Sequence, residues 1–419
     1  MKQTALIAGV GMTSIGRHMD RTLSSLAEEA VLRAVDDARV PLHGIQAAWV
    51  GTVGAPMITG QVCIVGQIVT RRLGIGGIPI VNVENACATG STAFQQACSM
   101  VSLGACDVAL ALGVEKMHHP DRQRTLLVLR GGADVDAPAE ILSFLGEESK
   151  ACSAVGDRRS LFMRIYARWA QDYMARSGAT VRDFAKVVVK ASQYAHHNPA
   201  AQVKAVVDEA DVLDAPLIAV PLTRLMCSPI ADGAAAIIVV SPAAARRLGV
   251  SRPVRVLASL IASGADAPTP NPGVSEAAAI EVYKEAGASP GDLDCAELHD
   301  ASAPAEMMLY EDLSLCAKGE GPGLIRDGAT AIGGRIPVNT SGGLLRKGHP
   351  LAATGIAQLH ELVHQLRSRA DKRQVPGARL ALAHNAGGFL RGDAATVTLT
   401  VLARSTRRPR AAFRAAEGH

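Results

Sequence analysis

Two hydrophobic periods alternate along this chain. Residues 4 to 10 form a short, glycine-bounded apolar run and predict a strand, whereas residues 23 to 38 place Leu26, Ala30, Val31, Ala34 and Val35 on one helical face. A second strand is expected over 45 to 53, a second helix over 60 to 73, and a third strand over 78 to 83. That third strand is rich in β-branched residues and reads as buried, with Pro79 only near its start. An alanine-rich stretch from 92 to 112, broken by Gly104, predicts a buried helix followed by a strand over 108 to 112. This alternation calls for a sheet with helices packed on it.

From about 118 to 221 the pattern changes to a polar, glycine-containing stretch followed by helices expected over 160 to 176 and 181 to 194. It reads as an insertion, of the kind that often covers a binding site. Alternation resumes with a strand over 235 to 240, and the rest of the chain repeats the first part in outline. A strand over 254 to 262 matches 4 to 10, a helix over 274 to 286 matches 23 to 38, and 293 to 299 matches 45 to 53. A strand from 336 then leads through Asn339 and a glycine-bearing turn into a helix over 351 to 366, the order already seen at 78 to 98; 379 to 383 matches 108 to 112. Two halves of one plan predict a pseudo-twofold α/β body in which each half presents one turn to a shared site.

Composition narrows the options. The 419 residues suffice for two core-forming units, and with 48% hydrophobic residues but only 3% aromatic the core must be built from Ala, Val, Leu and Ile. Five arginines between 404 and 414 account for much of the formal charge of +4, so the body is near neutral and the tail is expected to be disordered. The folded part carries no basic patch that would suit nucleic acid, and no apolar run reaches membrane-spanning length. Eight cysteines show neither zinc-site spacing nor the density of a disulfide scaffold. Neither a secretory leader at the start nor a peroxisomal address at Glu417-Gly418-His419 is recognisable, so the expectation is a soluble cytoplasmic protein.

The candidate chemistry starts at Cys87, between the strand at 78 to 83 and the following helix. The N–H groups of a helix N-terminus favour negative charge, which predicts a lowered thiol pKa and an available thiolate. The matching turn of the second half carries Gly348-His349-Pro350, and the duplication would bring His349 to Cys87, as nucleophilic thiol catalysis requires. His299 and His384 also end strands and are followed by small residues, where active sites of α/β sheets collect.

Taken together, NACATGS at 85 to 91, GVEKM at 113 to 117, SPIADGAA at 228 to 235, NTSGG at 339 to 343 with GHP at 348 to 350, and HNAGG at 384 to 388 resemble the thiolase superfamily. Within it the sterol-carrier-protein type is the nearer match, over roughly residues 4 to 402. The resemblance implies a five-layered αβαβα thiolase fold of two duplicated halves, 1–250 and 251–403, with an inserted loop domain at about 118–221 and a basic tail at 404–419. It also implies a homodimer and acyl-CoA substrates, with coenzyme A as cosubstrate and no bound metal or prosthetic group. By the same resemblance Cys87 takes the acyl group as a thioester and His349 activates it. His299 helps hold the thioester oxygen of the second substrate, and the backbone near Gly387 joins the Cys87 N–H in the acyl-enzyme oxyanion hole.

The chain departs from the family at one chemical position. Degradative thiolases carry an acid/base cysteine in Cys-x-Gly-Gly-Gly, where His384 begins the corresponding stretch, and the sterol-carrier branch has it in His-Asp-Cys-Phe, where this chain has Ala301. His384 or His299 could substitute; Cys295 is expected in the core. Three functions are therefore carried forward. The leading one is a thiolase-like acyl-CoA acyltransferase working through Cys87. The others are a retro-aldolase or C-acyltransferase subunit that works with a small zinc-ribbon/OB-fold partner, and a non-catalytic acyl-CoA-binding subunit. The arginines Arg158, Arg159 and Arg164 of the insertion are candidate phosphate contacts.

Overall fold

A computed structural model describes residues 3–146, 160–265 and 273–405. Its strands are β1 (Leu6–Met12), β2 (Ala47–Gly51), β3 (Ile80–Val83), β4 (Val108–Glu115), β5 (Leu217–Ala219), β6 (Leu222–Thr223), β7 (Gly233–Val240), β8 (Val254–Ser263), β9 (Cys295–Glu297), β10 (Leu380–Gly387) and β11 (Thr396–Arg404). All but β5 and β6 join in the order β3-β2-β4-β7-β1-β8-β11-β10-β9. The order reads as a pattern and its mirror image. Parallel β2 and β4 correspond to parallel β9 and β10, and antiparallel β4 and β7 to antiparallel β10 and β11. Within the sheet, the strands of the two halves pair where Leu6 and Ile7 meet Arg255 and Val254.

Side-chain alternation sorts each strand between two layers. On β4, Val108, Leu110, Leu112 and Val114 pack outward with Leu26, Ala30 and Ala34 of the helix Leu23–Ala38. Ala109 and Ala111 face inward, toward Ala93 and Ala97 of the helix Thr89–Ser102 and Ala353 and Ala357 of the helix Leu351–Leu366. In the second half, Val397, Leu399 and Val401 pack outward with Val274, Ala278 and Val282 of the helix Val274–Ala286. The five layers are thus helices, one half of the sheet, two central helices, the other half of the sheet and helices, which is the thiolase fold. Because the central helices lie between the two halves of the sheet, small residues fill that layer. A Cβ on Gly90 would sit 2.2 Å from the Ala352 carbonyl oxygen, and one on Gly355 would sit 2.6 Å from the Ser91 side chain.

Between β4 and β7 the chain runs through several helices, including Leu161–Ser177 and Val181–His196, and the β5–β6 hairpin. The helices at 23 to 38, 274 to 286 and 351 to 366 match their sequence patterns to the residue.

Four expectations need correction. β3 is not buried: it is the sheet edge, with Val81 and Asn82 exposed. The strand expected from 336 reduces to a single bridge between Val338 and Ala296, because the Ile336 and Val338 N–H groups turn away to the carbonyls of Ala329 and Thr330. β11 has no counterpart among the expected strands, and its last residue, Arg404, pairs with Val254 rather than opening a tail. The second helix starts at Val65, after Ile64 takes a left-handed conformation. The remainder of the tail, together with Arg158 and Arg159, lies outside the described residues.

Candidate active site

Cys87 lies in a single helical turn, Ala86–Ala88, squeezed between β3 and the helix Thr89–Ser102. Ala86 has a φ of 48°, an uncommon conformation for a residue with a side chain. The surrounding motif residues hold it there. The Asn85 N–H donates to Thr89 Oγ1 (2.8 Å), the Thr89 hydroxyl donates to the Ala86 carbonyl (2.7 Å), and the Ala86 N–H donates to Glu84 Oε1 (2.6 Å). Gly387 on β10 leans against the same turn, where a Cβ would lie 2.3 Å from the Asn85 carbonyl oxygen. Only glycine permits this approach.

The second half delivers His349 to this turn. Its Nε2 lies 3.2 Å from Cys87 Sγ, and its Nδ1 lies 2.7 Å from Thr354 Oγ1. Thr354 donates its own hydrogen to the Pro350 carbonyl (3.0 Å), so it accepts from His349 Nδ1–H and leaves Nε2 unprotonated toward the thiol. His299 packs edge-on against His349, with ring centroids 5.2 Å apart. Asn385 Nδ2 donates to His299 Nδ1 (3.0 Å), which leaves His299 Nε2–H as a donor. One nitrogen or sulfur atom from each of Cys87, His299 and His349 falls within 4.8 Å of the other two.

Electrostatics overturn one expectation. Burial, followed by the carboxylates of Glu115 and Glu84, pushes the Cys87 thiol up to about 12, although it precedes a helix N-terminus. Burial also drives His349 well below its ordinary value, with His299 and Lys347 adding to the shift, and pushes His299 down to about 3. The resting pair is therefore a neutral thiol on a neutral imidazole, not a thiolate.

Cys87, His299, His349, His384 and Gly387 all line one cavity of about 1880 Å³. His384 stands apart from the other histidines. Its Nε2 bonds Ser275 Oγ on the helix Val274–Ala286 (2.9 Å), and burial, with His299, pushes it down to about 3. Ala301 also faces the cavity, and Cys295 is fully buried in the core as expected. Arg164 is not among the lining residues, whereas Arg122, Arg176, Arg224 and Arg346 are.

Several functional neighbours escape sequence reasoning. Glu115, inside the GVEKM motif, accepts from the N–H groups of Gly54 (2.8 Å), Val53 (3.2 Å) and Ala352 (3.0 Å), tying the loop after β2 to the start of the helix Leu351–Leu366. Burial raises its carboxyl to about 7 despite these bonds. Asn385 orients His299, and Thr354 orients His349. The motifs contained Glu115 and Asn385 without revealing their roles. Thr354 would have been suggested by its offset of one helical turn from Pro350. Aromatic residues Phe144, Phe162, Tyr166 and Trp169 gather on the cavity wall; the helix expected over 160 to 176 stands out in the sequence as rich in Arg, Tyr and Trp, but nothing in that pattern points to a cavity.

The geometry now meets known proteins. Residues 5–243 match the family model for the thiolase N-terminal domain, and residues 263–400 match that for a thiolase C-terminal domain-like unit. The chain belongs to the thiolase family, and it is an acyltransferase of that family. It is 36% identical over 398 residues to the benzoylsuccinyl-CoA thiolase subunit BbsB of Thauera aromatica, covering 93% of this chain and 96% of that one. It is 37% identical to the acetyl-CoA acetyltransferase of Methanothermobacter thermautotrophicus (93% and 97% covered) and 34% identical to human sterol carrier protein 2 (94% and 71% covered). Among solved structures, an Ltp2-ChsH2(DUF35) aldolase shares the fold with a TM-score of 0.77 at 24% identity, over 97% of this chain and 99% of that one. Human mitochondrial 3-ketoacyl-CoA thiolase shares it with a TM-score of 0.68 at 16% identity, over 96% and 99%.

Proposed function

We propose that this chain transfers acyl groups from acyl-CoA through a thioester on Cys87, passing them to coenzyme A or to a carbon nucleophile. The observation that carries this reading is the 3.2 Å contact between His349 Nε2 and Cys87 Sγ, with the far side of the imidazole fixed by Thr354. As the thiol attacks the acyl carbonyl its proton passes to Nε2, and the developing oxyanion is met by the backbone near Cys87 and Gly387. His299 Nε2–H holds the thioester oxygen of the second substrate. No metal or prosthetic group has a part in these steps. In this reading the chain divides into halves 1–250 and 251–403, and the insertion at about 118–221 within the first half forms a loop domain over the cavity.

The test is intact mass after incubation with acetyl-CoA and with a medium-chain acyl-CoA. The expected result is an adduct of acyl mass that Cys87→Ala lacks. No adduct with any acyl-CoA, while CoA still binds, would sink the reading in favour of an acyl-CoA-binding subunit.

Ala301, in place of the acid/base cysteine, favours a second reading as a retro-aldolase or C-acyltransferase subunit with a zinc-ribbon/OB-fold partner. One relative is described as a subunit and one structural neighbour as a complex with a DUF35 protein, which agrees with this. Cleavage of a β-hydroxyacyl-CoA only when such a partner is added would decide for it. We also propose a homodimer formed along the open edge of β3, where Val81 is 41% exposed; Val62 (70%) and Ile64 (57%) are exposed as well. Light scattering on Val81→Lys should then report a monomer. The seven described cysteines are all free thiols, which supports a reducing, cytoplasmic setting.

A further inference from the structure

Acyl transfer through Cys87 leaves one proton unaccounted for. When the bond between the α- and β-carbons of a 3-oxoacyl-CoA breaks, the electron pair stays on the α-carbon, and something must protonate it. At the family's position for that acid this chain has a methyl group, Ala301.

The chain has five tyrosines. Four have engaged hydroxyls: Tyr173 donates to Glu311 Oε1, Tyr283 to the Leu313 carbonyl and Tyr310 to Glu306 Oε1, while Tyr194 accepts from the Ile332 N–H. The fifth, Tyr166, has no hydrogen-bond partner among the described residues, and it lines the cavity together with Cys87, His299, His349 and Ala301. It sits on the helix Leu161–Ser177, which packs against the helix Ala303–Asp312 that starts two residues after Ala301. Trp169 fixes its ring in an edge-on contact at 5.2 Å between centroids. Two further hydroxyl or thiol groups of the cavity are committed: Cys227 Sγ donates to the Thr223 carbonyl (3.4 Å), and Ser275 bonds His384.

We propose that the Tyr166 hydroxyl is the acid/base group that serves the α-carbon of the acyl-CoA. The proposal rests on the Cys87 acyl-transfer reading. In the cleavage direction the Cys87 proton passes to His349 Nε2, and the sulfur adds to the β-carbonyl carbon. The bond between the α- and β-carbons then breaks, and its electron pair moves onto the α-carbon, shared with the thioester oxygen. Tyr166 O–H gives its proton to that carbon and becomes a phenolate. Incoming CoA–SH returns a proton to the phenolate, and the CoA thiolate takes the acyl group from Cys87, whose sulfur recovers its proton from His349. The environment suits an acid that stays loaded: burial first, then Cys87 and Asp300, holds the phenol protonated well above its ordinary range.

The experiment follows α-hydrogen exchange of acetyl-CoA in D2O, with intact-mass acylation measured in parallel. Tyr166→Phe removes one oxygen that bonds nothing among the described residues. It should keep the Cys87 adduct and the wild-type melting temperature while slowing exchange by about 10²- to 10⁴-fold. Cys227→Ser should keep both. Exchange at the wild-type rate in Tyr166→Phe, or its loss in Cys227→Ser, would overturn the role of Tyr166 while leaving Cys87 chemistry standing. Loss of the adduct together with exchange in Tyr166→Phe would mark a structural role and overturn it as well. A wild-type protein that forms the adduct but never exchanges would do the same, and one that forms no adduct would overturn both readings.

Discussion

The two turns that meet at the cavity occupy equivalent places in the two halves, yet they are built in different ways. The first runs from Val83 to Thr89 and is held by its own neighbours: Glu84, Asn85 and Thr89 satisfy the backbone within a few residues of Cys87. The second runs from Val338 to Leu351 and needs distant help. Asn339 turns left-handed, Gly343–Lys347 forms a π-turn, and the remote carboxylates of Asp300 and Glu297 hold them. Asp300 Oδ1 accepts the Leu344 N–H (2.7 Å), and Glu297 accepts both the N–H (2.9 Å) and the hydroxyl (2.6 Å) of Ser341. Cys87 can be set by a tight local turn. His349, which must reach a partner 262 residues away, has to be braced by the fold.

The largest effect should come from cutting across the two turns. Cys87→Ala should abolish the acyl adduct, and His349→Ala should slow its formation by about 10²- to 10⁴-fold, as measured by time-resolved intact mass. Breaking the braces comes next. Asp300→Ala strands buried N–H groups of the second turn and should cost about 2 to 4 kcal/mol in denaturant unfolding, whereas Thr89→Ala in the first turn should cost about 1 kcal/mol. Equal losses would dissolve the contrast between local and remote support.

The pH dependence sharpens it further. With Cys87 pushed up to about 12, its alkylation by iodoacetamide should be slow at pH 7 and rise about tenfold per pH unit through pH 9, because only the thiolate reacts. A plateau already present at pH 7 would restore the helix-terminal thiolate. The smallest effect concerns stability. His299 and His384 are held near 3, while an unfolded histidine titrates near 6.5, so below 6.5 the unfolded chain binds protons that the fold refuses. Stability should be full above about pH 6.5 and decline as the pH falls toward 3. Replacing His384 by Asn should flatten that decline in thermal melts without removing the Cys87 adduct.

The sequence by itself determined the periodic helices and the duplication, and it picked out the residues that the fold gathers at the candidate site. These depend on local spacing, and the long amphipathic helices at 23 to 38, 274 to 286 and 351 to 366 are matched without error. Tertiary structure decided what depends on neighbours far along the chain. β3 became an edge because nothing among the described residues pairs beyond it, and the segment around Val338 gave up its strand because its N–H groups had closer acceptors at Ala329 and Thr330. Cys87 lost its expected thiolate for the same kind of reason. A helix terminus acts over one turn, whereas burial and the charge of Glu115 come from the whole site, and at this position desolvation is the stronger effect.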